Sequence, residues 1–343
     1  MFEINKLVRE NVKRLTPYSC ARDDYKGSSG VFLDANENPF GNLNRYPDPY
    51  QQKLKTAICR TRGVNEQSLF LGNGSDEIID LCFRVFCDPG IAKAMIFPPT
   101  YGMYEVSASI NDVEVIKVPL NNDFQIDIKE AESHFKDEKL KLIFICSPNN
   151  PTGNSMNQKD IEYVIQTFSG IVLLDEAYSD FSDEPSFIEK INKYPNLIVM
   201  QTFSKALGLA AVRIGIAISN PAIIQYFNRI KPPYNISTVN QEAALNKWTD
   251  RNVIKQQVGE IKKERERLTF ELTGLNITDR VFPSDANFLL IKVKNANYIY
   301  NYLVNNKIIV RNRSALVDNC LRITVGTRNE NDQLLNALKR ITL

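Results

Sequence analysis

Ile171-Val172-Leu173-Leu174-Asp175-Glu176-Ala177-Tyr178 is the stretch that decides the fold. An unbroken apolar run ends abruptly in a carboxylate. A strand that is apolar at every position is buried on both faces, the situation of a parallel strand between two helical layers. A carboxylate at the end of such a strand lies at the carboxyl edge of the sheet, where open α/β folds bind ligands. Buried there, Asp175 needs a cation or several donors to remain ionised, and a protonated pyridine nitrogen would supply one. Taken alone, an Asp at this position is also an ordinary helix N-cap.

Outward from this run, further short apolar segments fall at 68–71, 94–97, 114–118, 142–146, 197–202 and 215–219. Helical patterns, such as 76–87 and 158–167, separate several of them. The alternation predicts an α/β domain on a mostly parallel, seven-stranded sheet. At Lys231-Pro232-Pro233-Tyr234-Asn235-Ile236-Ser237 the texture changes, because paired prolines cannot continue a helix. A long charged helical pattern follows over 240–272. Beyond it lie apolar runs at 288–293, 307–311 and 320–326, and helical patterns at 298–305 and 332–341. We therefore expect three parts: an N-terminal arm, residues 1–28, joining the small domain; a large domain, 29–235; and a small α+β domain, 236–343.

Composition narrows the function. The 343 residues are 43% apolar, enough for a sizeable core, and 42 Lys and Arg against 40 Asp and Glu leave a net charge of +2. Such a balance argues against a nucleic-acid partner. The apolar runs are strand-sized, and the first residues, MFEINKLVRENVKRL, are charged and amphipathic. A cytoplasmic protein with no membrane span is expected. The cysteines at 20, 59, 82, 87, 146 and 320 form no Cys-x-x-Cys pair, so reduced, buried thiols and no metal site are expected. The single histidine, His134, lies in a polar helical pattern. One histidine nearly excludes a Ser-His-Asp mechanism and multi-histidine metal sites. A bound cofactor is then the natural source of difficult chemistry.

The remaining signals sit at strand ends. Gly72-Asn73-Gly74-Ser75-Asp76-Glu77 follows a strand and opens a helix, an arrangement that presents backbone amides to an anion. It lacks the third glycine of a dinucleotide fingerprint and the ending of a P-loop, and alone it is an ordinary capped turn. Thr202-Phe203-Ser204-Lys205-Ala206-Leu207-Gly208 places a lysine among small and apolar residues, and Arg213 follows. Desolvation and nearby cations lower an amine's pKa, which suits a lysine that bonds a carbonyl carbon. Ser204 and Arg213 are natural phosphate ligands. Ser147-Pro148-Asn149-Asn150-Pro151-Thr152-Gly153 and Pro98-Pro99-Thr100-Tyr101 are turns after two other strands.

In that order, GNGSDE, PPTYGMY, SPNNPTG, LLDEAY, TFSK and VRIG resemble the fold-type I pyridoxal-phosphate aminotransferases over nearly the whole chain. Within that family the likeness is strongest to the histidinol-phosphate aminotransferases, through DANENPFGN, RYPDPY, KPPYNIS, IIVRNRS and LRITVGTRNEN. The resemblance implies that Lys205 carries pyridoxal 5'-phosphate through a Schiff base and shuttles the substrate proton. It implies that Asp175 pairs with the pyridine nitrogen, that Tyr178 and Asn150 bond the phenolic oxygen, and that Tyr101 stacks on the ring. Gly74, Ser75, Asp76, Ser204 and Arg213 would hold the cofactor phosphate. Tyr46 would reach across to the cofactor of a second subunit, in a homodimer with shared active sites. Arg311 and Arg322, helped by Tyr18 and Asn150, would bind a phosphorylated amine and 2-oxoglutarate. Arg322, a charge inside an apolar strand, calls for a partner on its own account, whereas Arg311 also reads as a solvated strand end. Relatives of this shape also decarboxylate threonine phosphate or transaminate aromatic amino acids. A non-catalytic ligand-binding module is the alternative of another class. A cis peptide at Asn150–Pro151 is expected, to aim Asn150 at the ring.

Overall fold

The structure is a computed structural model that describes residues 3–20, 25, 27 and 30–341. Seven strands form the central sheet: β1 (Leu69–Asn73), β2 (Lys93–Ile96), β3 (Glu114–Lys117), β4 (Leu140–Cys146), β5 (Ile171–Asp175), β6 (Leu197–Thr202) and β7 (Ile214–Ser219). Their spatial order is β1-β7-β6-β5-β4-β2-β3. Strands β2 to β6 pair in parallel, and β7 runs antiparallel to both β6 and β1. The expected mostly parallel α/β sheet is therefore present, with one reversed strand. Each inner strand divides its residues between two cores. Val172 and Leu174 face one, Ile171 and Leu173 the other, which is the period-two alternation of a sheet covered on both sides.

The small sheet contains β8 (Thr278–Val281), β9 (Phe288–Val293), β10 (Arg311–Asn312) and β11 (Cys320–Thr324) in the antiparallel order β10-β11-β9-β8. Its core joins Leu289, Ile291, Leu321 and Ile323 to the helices Ala296–Asn305 and Arg328–Leu338 and to the end of Arg251–Thr273. The expected strand over 307–311 is reduced to the two residues of β10, and the long helical pattern over 240–272 is two helices, Thr238–Thr249 and Arg251–Thr273.

Two expectations about domains need correction. The stretch of the N-terminal arm from Val8 to Lys13 packs on the large domain instead. Val8 and Val12 pack with Ile78 and Phe83 of the large core, the Arg9 amide donates to the Val85 carbonyl, and Arg229 donates to the Lys13 carbonyl at 3.0 Å. The boundary at 235/236 also lies too early. Ile236, Ala244, Trp248 and Ile254 belong to the large core, where the Trp248 ring stacks on Phe203 with centroids 5.3 Å apart. The change of core falls inside the helix Arg251–Thr273, whose Leu268 and Leu272 belong to the small one. Among the described residues no helix is long and apolar enough to cross a membrane. All six cysteines are free and buried.

Candidate active site

The topology brings the sequence signals to one edge. Parallel strands β4, β5 and β6 end there at Cys146, Asp175 and Thr202. Strand β1 ends at the same edge, because β7, reversed, lies between it and β6. The connections that leave these strands line a cavity of about 370 Å³, closed on its other side by Arg311, Arg313 and Arg322 of the small domain.

Closeness of β1 and β7 shapes one wall. Gly74 has φ +77°, and a Cβ there would meet the Arg213 guanidinium at 2.5 Å. A Cβ on Gly215 would lie 2.5 Å from the Ser75 nitrogen. Only glycine permits both approaches. The helix Ser75–Phe86 then starts directly at the cavity, with Ser75 and Asp76 in its lining. Arg213 itself has φ +54°. Its guanidinium donates to Asp76 Oδ2 at 3.3 Å, to Ser204 Oγ at 3.4 Å and to the Ala210 carbonyl at 3.2 Å. Tyr101 Oη donates to Asp76 Oδ1 at 3.2 Å. The Asp76 carboxylate thus orients Arg213, and a helix N-terminus, a hydroxyl and a guanidinium converge as an anion cradle.

Asp175 forms the floor and is buried. It accepts from Tyr104 Oη at 2.6 Å and from the Ala177 amide at 3.0 Å. Burial nevertheless raises its pKa to about 6, against these hydrogen bonds and the Lys205 charge. Lys205 also lines the cavity, its ammonium 5.5 Å from the centre of the Tyr178 ring. Its pKa is lowered, first by burial and then by the positive charge of Arg322. Asn150 lies between Tyr178, 3.5 Å away, and Arg322, which donates to its Oδ1. The Asn150–Pro151 peptide is cis, as are Pro98–Pro99 and Ser147–Pro148. Burial pushes the Tyr178 and Tyr101 hydroxyls well above the ordinary tyrosine range, so both are neutral donors.

Ser75, Asp76, Tyr101, Asn150, Asp175, Tyr178, Ser204, Lys205, Arg213, Arg311 and Arg322 therefore share one cavity, with Gly74 against Arg213. Besides Gly74, two predicted residues lie outside its lining. Tyr18 is 73% exposed, and Tyr46 stacks on Tyr234 at 4.4 Å with 52% of its surface open. Two residues of the site escape sequence reading. Tyr104 looks like a core aromatic of the helix Met103–Ile110, and Arg313 looks like a loop cation beside Arg311. His134 does not line the cavity and is partly exposed beside Glu130.

This arrangement offers an amine of reduced basicity, a buried carboxylate facing it across the floor, an aromatic wall, and anion-binding groups at two ends. The family model for class I and II aminotransferases matches residues 24–338. A histidinol-phosphate aminotransferase of Cytophaga hutchinsonii is 48% identical over 98% of this chain and 99% of its own length. One of Bacteroides thetaiotaomicron is 51% identical over 99% of both chains. A solved structure of a histidinol-phosphate aminotransferase from Sinorhizobium meliloti, in complex with pyridoxal-5'-phosphate, is 26% identical with a TM-score of 0.78, over 87% of this chain and 83% of that one.

Proposed function

The chain belongs to the class I and II aminotransferases, and on that premise we propose that it moves an amino group between L-histidinol phosphate and 2-oxoglutarate, a step of histidine biosynthesis. Its cofactor is pyridoxal phosphate, as in this family. The residues fit that group. The carboxylate of Asp175, buried without a cation touching it, suits a protonated ring nitrogen, and the cradle at Gly74, Ser75, Ser204 and Arg213 suits its phosphate. When bound, the cofactor supplies an electron sink for the pair left at the substrate's Cα.

The protein's own groups do the rest. Lys205 is the residue that would hold the cofactor's carbonyl carbon, and its neutral Nζ would take the proton from the substrate's Cα. The lowered pKa favours that neutral form. Asp175 remains anionic when a cation faces it, because an opposite charge in the same buried site outweighs part of its desolvation. Tyr178 and Asn150 would present neutral donors to the cofactor's ring oxygen, and Tyr101 would cover one ring face. Arg322 and Arg311 bind the substrate phosphate, or the distal carboxylate of 2-oxoglutarate in the second half-reaction. Tyr18, near the N-terminal segment, would close on the substrate.

The same reading extends to assembly. Val31, Leu33 and Phe40 are more than 80% exposed in the chain by itself. An apolar segment of this kind is the usual mark of a subunit interface. We place a second copy there, with Tyr46 reaching the partner's site, in a cytoplasmic homodimer. The convergence of Lys205 and Asp175 with the three small-domain arginines in one cavity carries the functional reading.

The test is spectroscopic. Histidinol phosphate, added to the holoenzyme without keto acid, should replace the cofactor's visible band by the absorbance of its aminated form, and 2-oxoglutarate should restore the band. Release of carbon dioxide without consumption of 2-oxoglutarate would mark a decarboxylase instead. No response to histidinol phosphate would remove this substrate.

A further inference from the structure

We propose that Arg313 is a third anion-binding arginine of the site and makes it prefer a substrate phosphate to a carboxylate; this rests on the proposed phosphorylated substrate. The register of the small sheet supplies the first observation. Arg311 of β10 lies directly opposite Arg322 of β11. Like charges at directly opposed positions repel. Arg313 follows two residues later, just past the end of β10, and its amide is tied to the Cys320 carbonyl at 2.8 Å. All three arginines line the cavity.

The second observation is what these cations lack. The Nε atoms of Arg313 and Arg322 are buried and have no hydrogen-bond partner. The carboxylates that line the cavity, Asp76 and Asp175, are engaged by Arg213, Tyr101 and Tyr104. Among the described residues none forms an ion pair with Arg313. Burial and the charges of Arg322 and Arg311 all lower its pKa, the expected sign of a guanidinium held among cations. A partly buried cluster of this kind is costly until an anion arrives. Evolutionary drift to a neutral residue would relieve it; ligand binding relieves it too, and returns the repulsion as affinity.

The third point is stoichiometric. A carboxylate offers two oxygens and a single charge, which the forked guanidiniums of Arg311 and Arg322 nearly saturate. A phosphate monoester offers three terminal oxygens and close to two charges, and so has acceptors left for a third arginine. Arg313 therefore adds affinity mainly for the phosphorylated partner in the two half-reactions.

The holoenzyme, Arg313→Gln and Arg313→Lys decide the matter through both half-reactions and through inhibition by inorganic phosphate. In Arg313→Gln the KM for histidinol phosphate should rise roughly ten- to a hundredfold, the span expected for one lost charge-assisted hydrogen-bond pair. The KM for 2-oxoglutarate should rise by a clearly smaller factor, and phosphate inhibition should weaken alongside the first. Arg313→Lys should recover part of the loss, since charge without the fork remains. Equal rises in both KM values, or undiminished phosphate inhibition in Arg313→Gln, would overturn the proposal. An unchanged cofactor band in both variants establishes that they fold. If wild-type enzyme ignores histidinol phosphate, the substrate assignment fails, while phosphate inhibition of the 2-oxoglutarate half-reaction still decides the role of Arg313.

Discussion

Asp175 is asked to be an anion in a place that disfavours anions. Without the cofactor, burial raises its pKa to about 6 from 3.8. Below about pH 4 the carboxyl is neutral in folded and unfolded chains alike. As pH rises through the interval from 3.8 to about 6, the unfolded chain releases the proton first, so stability is lost with increasing pH. The full loss, reached above pH 6, is about 3 kcal/mol. In urea unfolding, the apoenzyme should therefore lose stability between pH 4 and pH 7 relative to Asp175→Asn apoenzyme, in which the loss is absent. A difference of the opposite sign would mean that the carboxylate is stabilised in the empty site. Tyr104 is the counterpart. Tyr104→Phe leaves Asp175 Oδ2 with one donor fewer in a buried site, which should cost about 1–3 kcal/mol of apoenzyme stability and raise the Asp175 pKa further. Asp175, Lys205, Asn150 and Arg213 were legible in the sequence because each follows a strand end or sits in a turn that has few other uses. Tyr104 was not, since a tyrosine on the buried face of a helix reads as packing until its hydroxyl's partner is known. Arg313 was hidden by spacing: beside Arg311 in a short polar loop, nothing in the pattern says that it lines one cavity with Arg322.

At the level of elements, the site depends on how closely β1 and β7 approach. Gly215 pairs with Gly72, and the space beside it is filled by the backbone of Gly74 and Ser75. Backbone cannot yield as a flexible side chain can. Gly215→Ala should therefore push the start of the helix Ser75–Phe86 away from β7, at a cost of at least about 1–3 kcal/mol. The cofactor phosphate would be held at that same helix start, so the Kd for pyridoxal phosphate should rise together with the fall in melting temperature. Thermal melts and a cofactor titration of the apoenzyme check both. A variant that melts lower but binds cofactor as tightly as wild type would separate the packing from the cradle. The central strands were readable because burial on both faces leaves an unbroken apolar run. Strand β8 was missed for the converse reason. Thr278-Asp279-Arg280-Val281 is an edge strand whose two charged residues are exposed, and only pairing with β9 makes it a strand. The short break at Asp250 was equally invisible, because helical periodicity continues through it.

At the scale of the molecule, hydrophobic pattern shows that a helix has an apolar face but not which core that face meets. The helix Thr238–Thr249 follows the Lys231-Pro232-Pro233 hinge and was assigned to the small domain on that ground, yet Ala244 and Trp248 pack into the large one. The same gap between pattern and partner applies to the exposed segment that contains Val31, Leu33, Phe40 and Leu43. A shared-site dimer makes a prediction that a monomer with a complete site cannot meet. Suppose Lys205→Ala and Tyr46→Ala are each nearly inactive, the first lacking the amine, the second lacking the tyrosine given to its partner. Mixed in equal amounts after dissociation and reassociation, they form about one-half heterodimers. One of the two sites in each heterodimer then takes Lys205 from one subunit and Tyr46 from the other, and is complete. Activity should recover to about one-quarter of that of wild type at the same total concentration, and dilution below the dimer's Kd should remove it. If the mixture stays inactive while sedimentation shows that heterodimers form, Tyr46 acts within its own chain or outside the site altogether, and the stacking on Tyr234 is its role.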